Sequence, residues 1–266
     1  MTKVKKISII ASILILVGVV GCILTFNLLE KPTAIAEEKI IDNHDISTVD
    51  IHANNEMVKI IPTKDSLVKV ELTGKATKGS KDDLSVEAEG NRLSIKTNNQ
   101  RKFFNFDFFT TSLTLTIHLP QKIYESLQVD IDNGSVGANG LAINSVKAKT
   151  NNGQIEMSNM KSAAVEVESD NGKLILDNVD GRITGETNNG TILLKTKDLD
   201  RNIELESDNG GIKVGSDKEP TNVTFRVDTD NGNINILDKY NDNAVIGKGD
   251  NLIKLSTDNG SITVTR

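Results

Sequence analysis

The sequence of 266 residues contains a single cysteine, Cys22, no tryptophan and only four prolines. One cysteine cannot form an intramolecular disulfide, so a small secreted scaffold held by disulfides is excluded. Lys and Arg together number 31 against 37 Asp and Glu, which gives a formal net charge of −6. The basic surface that nucleic-acid-binding domains need is therefore missing, and we predict no nucleic acid partner.

Motifs that carry catalysis or cofactor binding are also absent from the sequence. The three histidines, His44, His52 and His118, have neither metal-ligand spacing nor a neighbouring nucleophile motif. There is no Gly-rich phosphate loop and no Gly-x-Ser-x-Gly elbow. The sequence therefore predicts a protein that is not an enzyme and that has no cofactor and no metal site. A glycan-cleaving β-helix enzyme stays open as an alternative, because stacked repeats can gather acids on one face.

The N-terminal region contains a long uncharged run. Lys3, Lys5 and Lys6 precede residues 7–29, none of which is charged, and Glu30 follows them. As a helix this run would be ~34 Å long, enough to cross a ~30 Å hydrocarbon core. The lysines predict a single-pass protein of the cell membrane with its N-terminus inside and the bulk of the chain extracytoplasmic.

A lipoprotein processing site is the alternative for this region. "VVGC" ends at Cys22, which would be the lipidated residue, but apolar residues continue beyond it and favour an uncleaved anchor. The predicted organisation is a cytoplasmic segment, a transmembrane anchor, a linker, the irregular N-terminal part of a β-solenoid and its regular part: residues 1–6, 7–29, 30–45, 46–120 and 121–266. From residue 31 onward the chain carries 28 basic and 36 acidic side chains, a net charge of −8 that attracts cationic peptides.

An Asn-Gly pair recurs seven times in the second half of the chain, roughly every 20 residues, with the widest gap before the last copy. Apolar residues alternate on both sides of it, as at Val165 and Val167 before Asn171 and at Leu174 and Leu176 after it. Such alternation predicts strands with every second side chain facing one interior. The pairs are Asn133–Gly134, Asn152–Gly153, Asn171–Gly172, Asn189–Gly190, Asn209–Gly210, Asn231–Gly232 and Asn259–Gly260.

Seven hairpins would explain the Asn-Gly pairs, but a third apolar position argues for a coil. Leu141, Met160 and Val179 each lie eight residues after their Asn. Three inward-facing edges per repeat predict an all-β, single-stranded β-solenoid with rungs of ~19–22 residues. In this coil each Asn-Gly pair is a turn, where Gly would accept positive φ and stacked Asn side chains would form a ladder. No polar capping segment follows the last strand, so the coil is predicted to end at Arg266 in an exposed edge, whether or not a partner caps it.

The coil is predicted to begin before the regular repeats. "VDIHANNEMVKI" fits the repeat with Asn55 at the corner and Glu56 in place of Gly. "LSVEAEGNRLSI" fits with Gly90 and Asn91 transposed, and "SLTLTIHLP" adds an alternating strand.

Two further patterns are candidate binding sites. Five of the seven phenylalanines fall within seven residues of each other, beside two basic residues, and could dock on a membrane or a partner, with core packing as the alternative. An acid precedes five of the repeat Asn residues, where it would cap a solvated corner or, alternatively, hold a divalent cation. The first pattern is Arg101, Lys102, Phe103, Phe104, Phe106, Phe108 and Phe109; the second is Asp132, Asp170, Asp208, Asp230 and Asp258.

These repeats carry a resemblance to a known family. Repeats such as "VKAKTNNGQIEMSNM" and "VEVESDNGKLILDNVDGRITGETNNGTILL", preceded by "FFNFDFF" and "LTLTIHLP" behind an N-terminal anchor, resemble the bacterial putative-adhesin family of unknown function. The resemblance covers roughly residues 45–266. It implies a β-solenoid at the envelope of a Gram-positive bacterium, with a role in envelope stress caused by antimicrobial peptides, and it supplies no catalytic residues.

The features together predict a non-catalytic, membrane-anchored binding or scaffold protein of the cell envelope. Its expected partner is an envelope protein or a cationic peptide, and its oligomeric state is left open. An adhesin that binds glycan or wall polymer is the alternative, although the repeats lack the stacked aromatic residues that would support it.

Overall fold

The computed structural model describes residues 5, 11–21, 33–76, 82–99 and 112–266. Residues 11–21 are helical, and among the described residues no helix has the length and apolar content needed to cross a membrane. From Thr33 onward the described residues are built from strands, which confirms the all-β class. The strands are β1 Thr33–Ile41, β2 Thr48–Ala53, β3 Met57–Thr63, β4 Val68–Ala76, β5 Asp82–Glu89, β6 Arg92–Asn99, β7 Ser112–Pro120, β8 Ile123–Asn133, β9 Ser135–Asn139, β10 Ala142–Asn152, β11 Ile155–Met160, β12 Ala164–Asn171, β13 Leu174–Val179, β14 Arg182–Asn189, β15 Ile192–Thr196, β16 Ile203–Asn209, β17 Ile212–Ser216, β18 Val223–Asn231, β19 Ile234–Ile236, β20 Ala244–Ile246, β21 Asn251–Asn259 and β22 Ile262–Thr265.

The strands form two sheets of 11 strands each. Sheet A has the order β1-β4-β7-β3-β9-β11-β13-β15-β17-β22-β19, and sheet B has the order β20-β18-β21-β16-β14-β12-β10-β8-β2-β6-β5. Each rung of the repeat region supplies one strand to each sheet, and strands of neighbouring rungs pair in parallel with equivalent residues aligned, as at Val146, Val165 and Ile183. Parallel pairing excludes seven hairpins and confirms the β-solenoid.

The core lies between the two sheets. Alternate residues of every rung point inward and stack on their equivalents, so that Ile155, Leu174, Ile192, Ile212 and Ile262 form one fully buried column. Each such side chain contributes ~1.5–3 kcal/mol, and none of it is gained until a neighbouring rung covers the side chain.

The third apolar position is buried as expected, but it does not create a third sheet. Met160 and Val179 lie at the ends of sheet A strands, where the chain turns toward sheet B. The third inward-facing position is therefore confirmed, in a coil that has two sheets. The physical reason is that these side chains fill the corner itself, so no separate strand is needed to bury them.

Rung order departs from chain order at the C-terminal end. Strands β21 and β22 pair with β16 and β17 on one side and with β18 and β19 on the other. The last rung in sequence is thus internal, and the predicted exposed edge before Arg266 is wrong. In sheet B the stack instead ends at the short strand β20, which pairs antiparallel with the first three residues of β18 and does not reach the Asn231 corner. The segment from Asn231 to Asn259, the widest gap between repeat pairs, is long enough to form this strand and return past it.

The N-terminal end also differs from the predicted organisation. Residues 33–41, within the predicted linker, form β1, which pairs antiparallel with β4 at the edge of sheet A. Gly90 and Asn91 form the turn of the antiparallel β5–β6 hairpin, with Gly90 at φ +58°, so they are not a solenoid corner. The rung of β2 and β3 does join the regular stack, because both strands pair in parallel with β8 and β9.

Each repeat glycine lies directly against the glycine of the neighbouring rung. A Cβ built on Gly153, Gly172, Gly190 or Gly210 would come within 1.6–1.7 Å of the adjacent glycine carbonyl oxygen. Gly172, Gly190 and Gly210 have no φ in the left-handed range, so the expectation that glycine serves positive φ is wrong at these corners. Glycine is needed because the backbones approach too closely for any side chain.

Asn side chains and buried hydroxyls complete the corner. Each ladder Asn donates from Nδ2 to Oδ1 of the preceding rung at 2.8–3.2 Å, and the ladder begins at Asn55. Its order along the stack is Asn55, Asn133, Asn152, Asn171, Asn189, Asn209, Asn259 and Asn231. Two residues before the Asn, Ser169, Thr187, Ser207 and Thr257 are buried and donate to the neighbouring glycine carbonyl.

Glu56 occupies the end of the glycine column. Its side chain is buried, and its Oε2 accepts hydrogen bonds from the amides of Asn54 and Asn55 and from the Thr97 hydroxyl at 2.8–3.0 Å. One carboxylate oxygen therefore satisfies three donors at a corner that lacks the usual glycine.

We expect Glu56→Ala to lower the free energy of unfolding by ~2–4 kcal/mol, because three donors in a buried site would lose their acceptor. Exposed Glu125, replaced by Ala, is the matched control and should change stability by ~0.5 kcal/mol or less. Urea unfolding of both variants measures the difference. Equal free energies of unfolding for the two variants would show that water replaces the Glu56 carboxylate without loss of stability.

Candidate binding surface

Register and rung order gather six exposed carboxylates on neighbouring strands of sheet B. On the strand face, Glu186 pairs with Glu206, and Asp228 lies two strands further along the same row. The other three acids directly precede a corner Asn on adjacent rungs. We call the set Glu186, Glu206, Asp208, Asp228, Asp230 and Asp258 the acidic strip.

The carboxylates of the acidic strip form no ion pairs among the described residues, although Lys254 and Arg226 flank Glu206 and Asp228 on the same face. Elsewhere on sheet B, lysine and glutamate pair across rungs, as Lys147–Glu166 and Lys149–Glu168 do at 2.6 Å. The Glu166 carboxylate, through its hydrogen bond, raises the pKa of Lys147. Parallel strands ~4.8 Å apart hold the like charges of the strip close together, so the strip is a surface of concentrated negative potential.

The sequence pattern predicts only half of the acidic strip. It identifies Asp208, Asp230 and Asp258, because they precede a repeat Asn, but not Glu186, Glu206 and Asp228. The position three residues before the Asn also faces outward beside the corner, and an acid at that position is the signal that could have identified the other three residues. The order of the last rungs, which brings Asp258 between Asp208 and Asp230, is not visible in the repeat spacing.

The Phe-rich segment and Cys22 lie outside the described residues. The strands that flank the segment are described, however, and they show where it attaches. It follows Asn99 of β6 and precedes Ser112, which pairs with Lys75 of β4. Thr33, the first residue of β1, pairs with Ala76 on the other side of β4. Thr33 and Ser112, the first described residues after 22–32 and 100–111, therefore lie on opposite sides of the same strand, β4.

Two of the three histidines, His44 and His118, lie beside a carboxylate. His118 Nε2 lies 2.8 Å from Glu71 Oε2, and Lys69 lies 3.0 Å from the same carboxylate. Lys69, and to a smaller extent His118, lower the pKa of Glu71. Across the described ranges, no three His, Cys, Asp or Glu side chains are placed to share a metal ion.

Two shallow grooves, of ~530 and ~340 Å³, lie on either side of Lys122 at the opposite corner of the coil. Lys122 Nζ donates to the His44 carbonyl at 2.6 Å and lies 5.3 Å from the centre of the Tyr124 ring. Burial raises the pKa of Tyr124 to about 12, and its hydroxyl donates to the Pro120 carbonyl. The basic side chain is thus held by the protein itself, which makes this corner a weaker candidate than the acidic strip.

Comparison with known proteins agrees with the resemblance seen in the sequence. The family model described as Toastrack DUF4097 matches residues 46–180 and again residues 131–265. Among curated proteins, the uncharacterized protein YvlB of Bacillus subtilis (strain 168) is 26% identical over 106 residues, which are 40% of this chain and 29% of YvlB. The chain thus spans less than a third of that relative's length.

Solved structures that align with this chain come from several bacteria. A putative cell adhesion protein from Clostridium sporogenes ATCC 15579 aligns with a TM-score of 0.45 at 14% identity, covering 88% of this chain and 99% of its own. A putative adhesin from Bacteroides fragilis NCTC 9343 aligns with a TM-score of 0.45 at 10% identity, covering 87% and 97%. A putative lipid binding protein from Parabacteroides distasonis ATCC 8503 aligns with a TM-score of 0.38 at 13% identity, covering 87% and 97%.

Proposed function

The chain belongs to the Toastrack DUF4097 family, and from this premise we propose that it is a non-catalytic binding and scaffold protein of the bacterial cell envelope. Residues 7–29 anchor it in the membrane, the solenoid projects outside, and the acidic strip binds a cationic partner. That partner is a cationic peptide or a basic segment of an envelope protein, which gives the protein its role in envelope stress. The observation that carries this proposal is the stacking of six unpaired carboxylates on consecutive rungs.

The position of the acidic strip along the solenoid supports the membrane orientation. β1 begins four residues after the uncharged run ends, so the end of the stack formed by β1, β4 and β5 lies next to the anchor. The strip begins at β14, six strands beyond β5 in sheet B, and ends at β18, nine strands beyond it. At ~4.8 Å per strand the strip is ~29–43 Å from the anchored end. This distance exceeds the ~8–10 Å Debye length several times, so anionic lipid headgroups do not repel the strip.

The solenoid architecture suits a surface of this kind. Its outward side chains do not contribute to the core, because alternate residues face inward and carry the packing. Like charges therefore accumulate on the outer face of β14, β16, β18 and β21 at little cost in core stability. A partner with regularly spaced lysines or arginines could neutralise several rungs at once, as multivalent charge pairing requires.

We expect replacement of all six strip acids by their amides to weaken binding of a fluorescent decalysine peptide by at least about tenfold, or ~1.4 kcal/mol, at low salt. The measurement is fluorescence anisotropy with the full chain in detergent micelles. Binding by the unmodified chain should also weaken as salt is raised, because the charges are exposed.

The control variant carries the same change in net charge elsewhere on the surface. It replaces six other exposed acids by amides, at Glu87, Glu89, Glu125, Glu156, Asp177 and Asp217. Retained affinity in this control, beside weakened affinity in the strip variant, assigns binding to the strip. Equal losses would show that overall charge alone is responsible. If the unmodified chain binds no decalysine at high micromolar concentration but is retained by purified peptidoglycan or teichoic acid, the glycan-binding alternative replaces this proposal.

A further inference from the structure

The sequence contains eight Asn-Gly pairs, and all eight lie among the described residues: the seven repeat pairs and Asn139–Gly140. Such a pair is chemically labile, because glycine offers little steric hindrance when its backbone nitrogen attacks the Cγ of the preceding Asn side chain. The new C–N bond forms as the Cγ–Nδ2 bond breaks and ammonia leaves, which produces a cyclic succinimide. Water then opens the ring to aspartate or isoaspartate, so one water is consumed for each ammonia released.

Seven of the eight pairs are held against this reaction by hydrogen bonds of the attacking nitrogen. At six corners the glycine N–H donates to the Asn carbonyl of the adjacent rung at 2.9–3.1 Å. The six are Gly134, Gly153, Gly172, Gly190, Gly210 and Gly260. Gly140 N–H donates to the Ser158 carbonyl at 3.0 Å. For the reaction to occur, the glycine N–H would have to break this hydrogen bond. The nitrogen would then have to approach the Cγ of the preceding Asn.

Asn231–Gly232 is the exception, because its rung is the last in the stack. No hydrogen bond of the Gly232 N–H is present within the described part of the chain, and Asn231 Oδ1 receives no donor there. The Asn231 side chain is held only through Nδ2, which donates to Asn259 Oδ1 at 3.0 Å. Gly232 is also exposed, whereas the other six repeat glycines are half-buried.

The chain contains an internal control for this difference. Residues 229–232 and residues 257–260 both read Thr-Asp-Asn-Gly, so the local sequence is identical at the two pairs. They also lie on adjacent rungs, since Asn231 aligns with Asn259. The difference is that Gly260 N–H donates to the Asn231 carbonyl at 3.0 Å, while within the described residues no further corner lies beyond Gly232.

We propose that Asn231 is a site of spontaneous deamidation, selected by its place at the open end of the ladder. The modification replaces a neutral amide by a carboxylate beside Asp230, so it adds a negative charge at the end of the sheet B face. It also removes the Nδ2 donor to Asn259 Oδ1, because an ionised carboxylate only accepts hydrogen bonds. In the folded protein, negative charge therefore accumulates with time at this one corner.

The test follows the two Thr-Asp-Asn-Gly pairs in one molecule. The folded full chain in detergent micelles is incubated at mildly alkaline pH, sampled over time and digested with trypsin. Cleavage after Lys and Arg releases residues 227–239 and 255–266, each with one Asn-Gly pair. Mass spectrometry then measures the aspartate and isoaspartate forms of each peptide, and the sample taken at time zero corrects for modification during digestion.

We expect Asn231 to react at least about tenfold faster than Asn259 in the folded chain, a difference that the loss of one or two hydrogen bonds can supply. In concentrated urea the two sites should react at similar rates, because no rung then protects either of them. The proposal is overturned if the ratio of the two rates in the folded chain equals the ratio in urea. It is also overturned if Asn259 or another ladder Asn reacts first.

Discussion

Deletion of residues 251–266 is expected to abolish the native fold, although these residues are the last in the chain. They form β21 and β22, which lie between the rungs of β16–β17 and β18–β19. Ile253, Leu255, Ile262 and Val264 are fully buried, and their loss removes ~6–12 kcal/mol of burial energy. That amount is comparable to the total stability of a typical domain, ~5–15 kcal/mol, before the exposed neighbouring rungs are counted.

Urea unfolding followed by far-UV circular dichroism measures this effect. The matched control deletes residues 33–41, because β1 pairs on one side only, with β4. This control should keep cooperative unfolding with a lower midpoint, whereas the C-terminal deletion should have no cooperative transition. A C-terminal deletion that unfolds cooperatively at the midpoint of the full chain would contradict the observed rung order, since an outermost rung could be lost with little damage.

Gly210→Ala is expected to lower the free energy of unfolding by ~3–5 kcal/mol, a large effect for the addition of one methyl group. Its Cβ would lie 1.6 Å from the Gly190 carbonyl oxygen, which belongs to backbone and cannot rotate away. Relief would need the two rungs to separate at this corner. Separation would stretch the hydrogen bonds from Gly190 N–H to the Asn209 carbonyl and from Asn209 Nδ2 to Asn189 Oδ1.

The control for this prediction is Gly137→Ala, on the outer face of sheet A. A Cβ there meets only the Val58 carbonyl oxygen at 3.8 Å, and its φ is outside the left-handed range. We expect a change of ~0.5 kcal/mol or less, with slight stabilisation from the smaller entropy of the unfolded chain. Urea unfolding measures the free energy of unfolding of both variants, and the comparison requires that their m-values are equal. Stabilities within about 1 kcal/mol of each other would show that the stacked corner can relax, and the close-approach explanation would be wrong.

Local pattern was sufficient for most of the regular fold. Alternation on both sides of Asn171 predicts two strands, and the near-constant spacing of the first Asn-Gly pairs predicts that the copies stack. These inferences depend on side-chain direction and repeat length, which neighbouring residues decide. The Asn ladder follows for the same reason, because equal rungs place equal residues over one another.

The reason for the corner glycines needed three-dimensional information. The sequence alone suggests a positive φ at Gly172, since that is the commonest use of glycine in a turn. The conformation is instead one that other residues can adopt, and the constraint comes from the Gly153 carbonyl oxygen of another rung. A contact between residues a whole rung apart cannot be read from a dipeptide.

The sequence by itself determined that this chain forms a β-solenoid, because every rung repeats the same alternation and the same corner. Only the tertiary structure decided the order of the rungs at the two ends. The wider gaps before the last two repeat pairs give the chain enough length to form the outer rung first and then return to form the rung beneath it. Which of these two rungs lies inside depends on how well their rows of apolar side chains cover the neighbouring rungs. That choice buries the rung that ends at Arg266, brings Asp258 between Asp208 and Asp230, and leaves Asn231 at the end of the ladder.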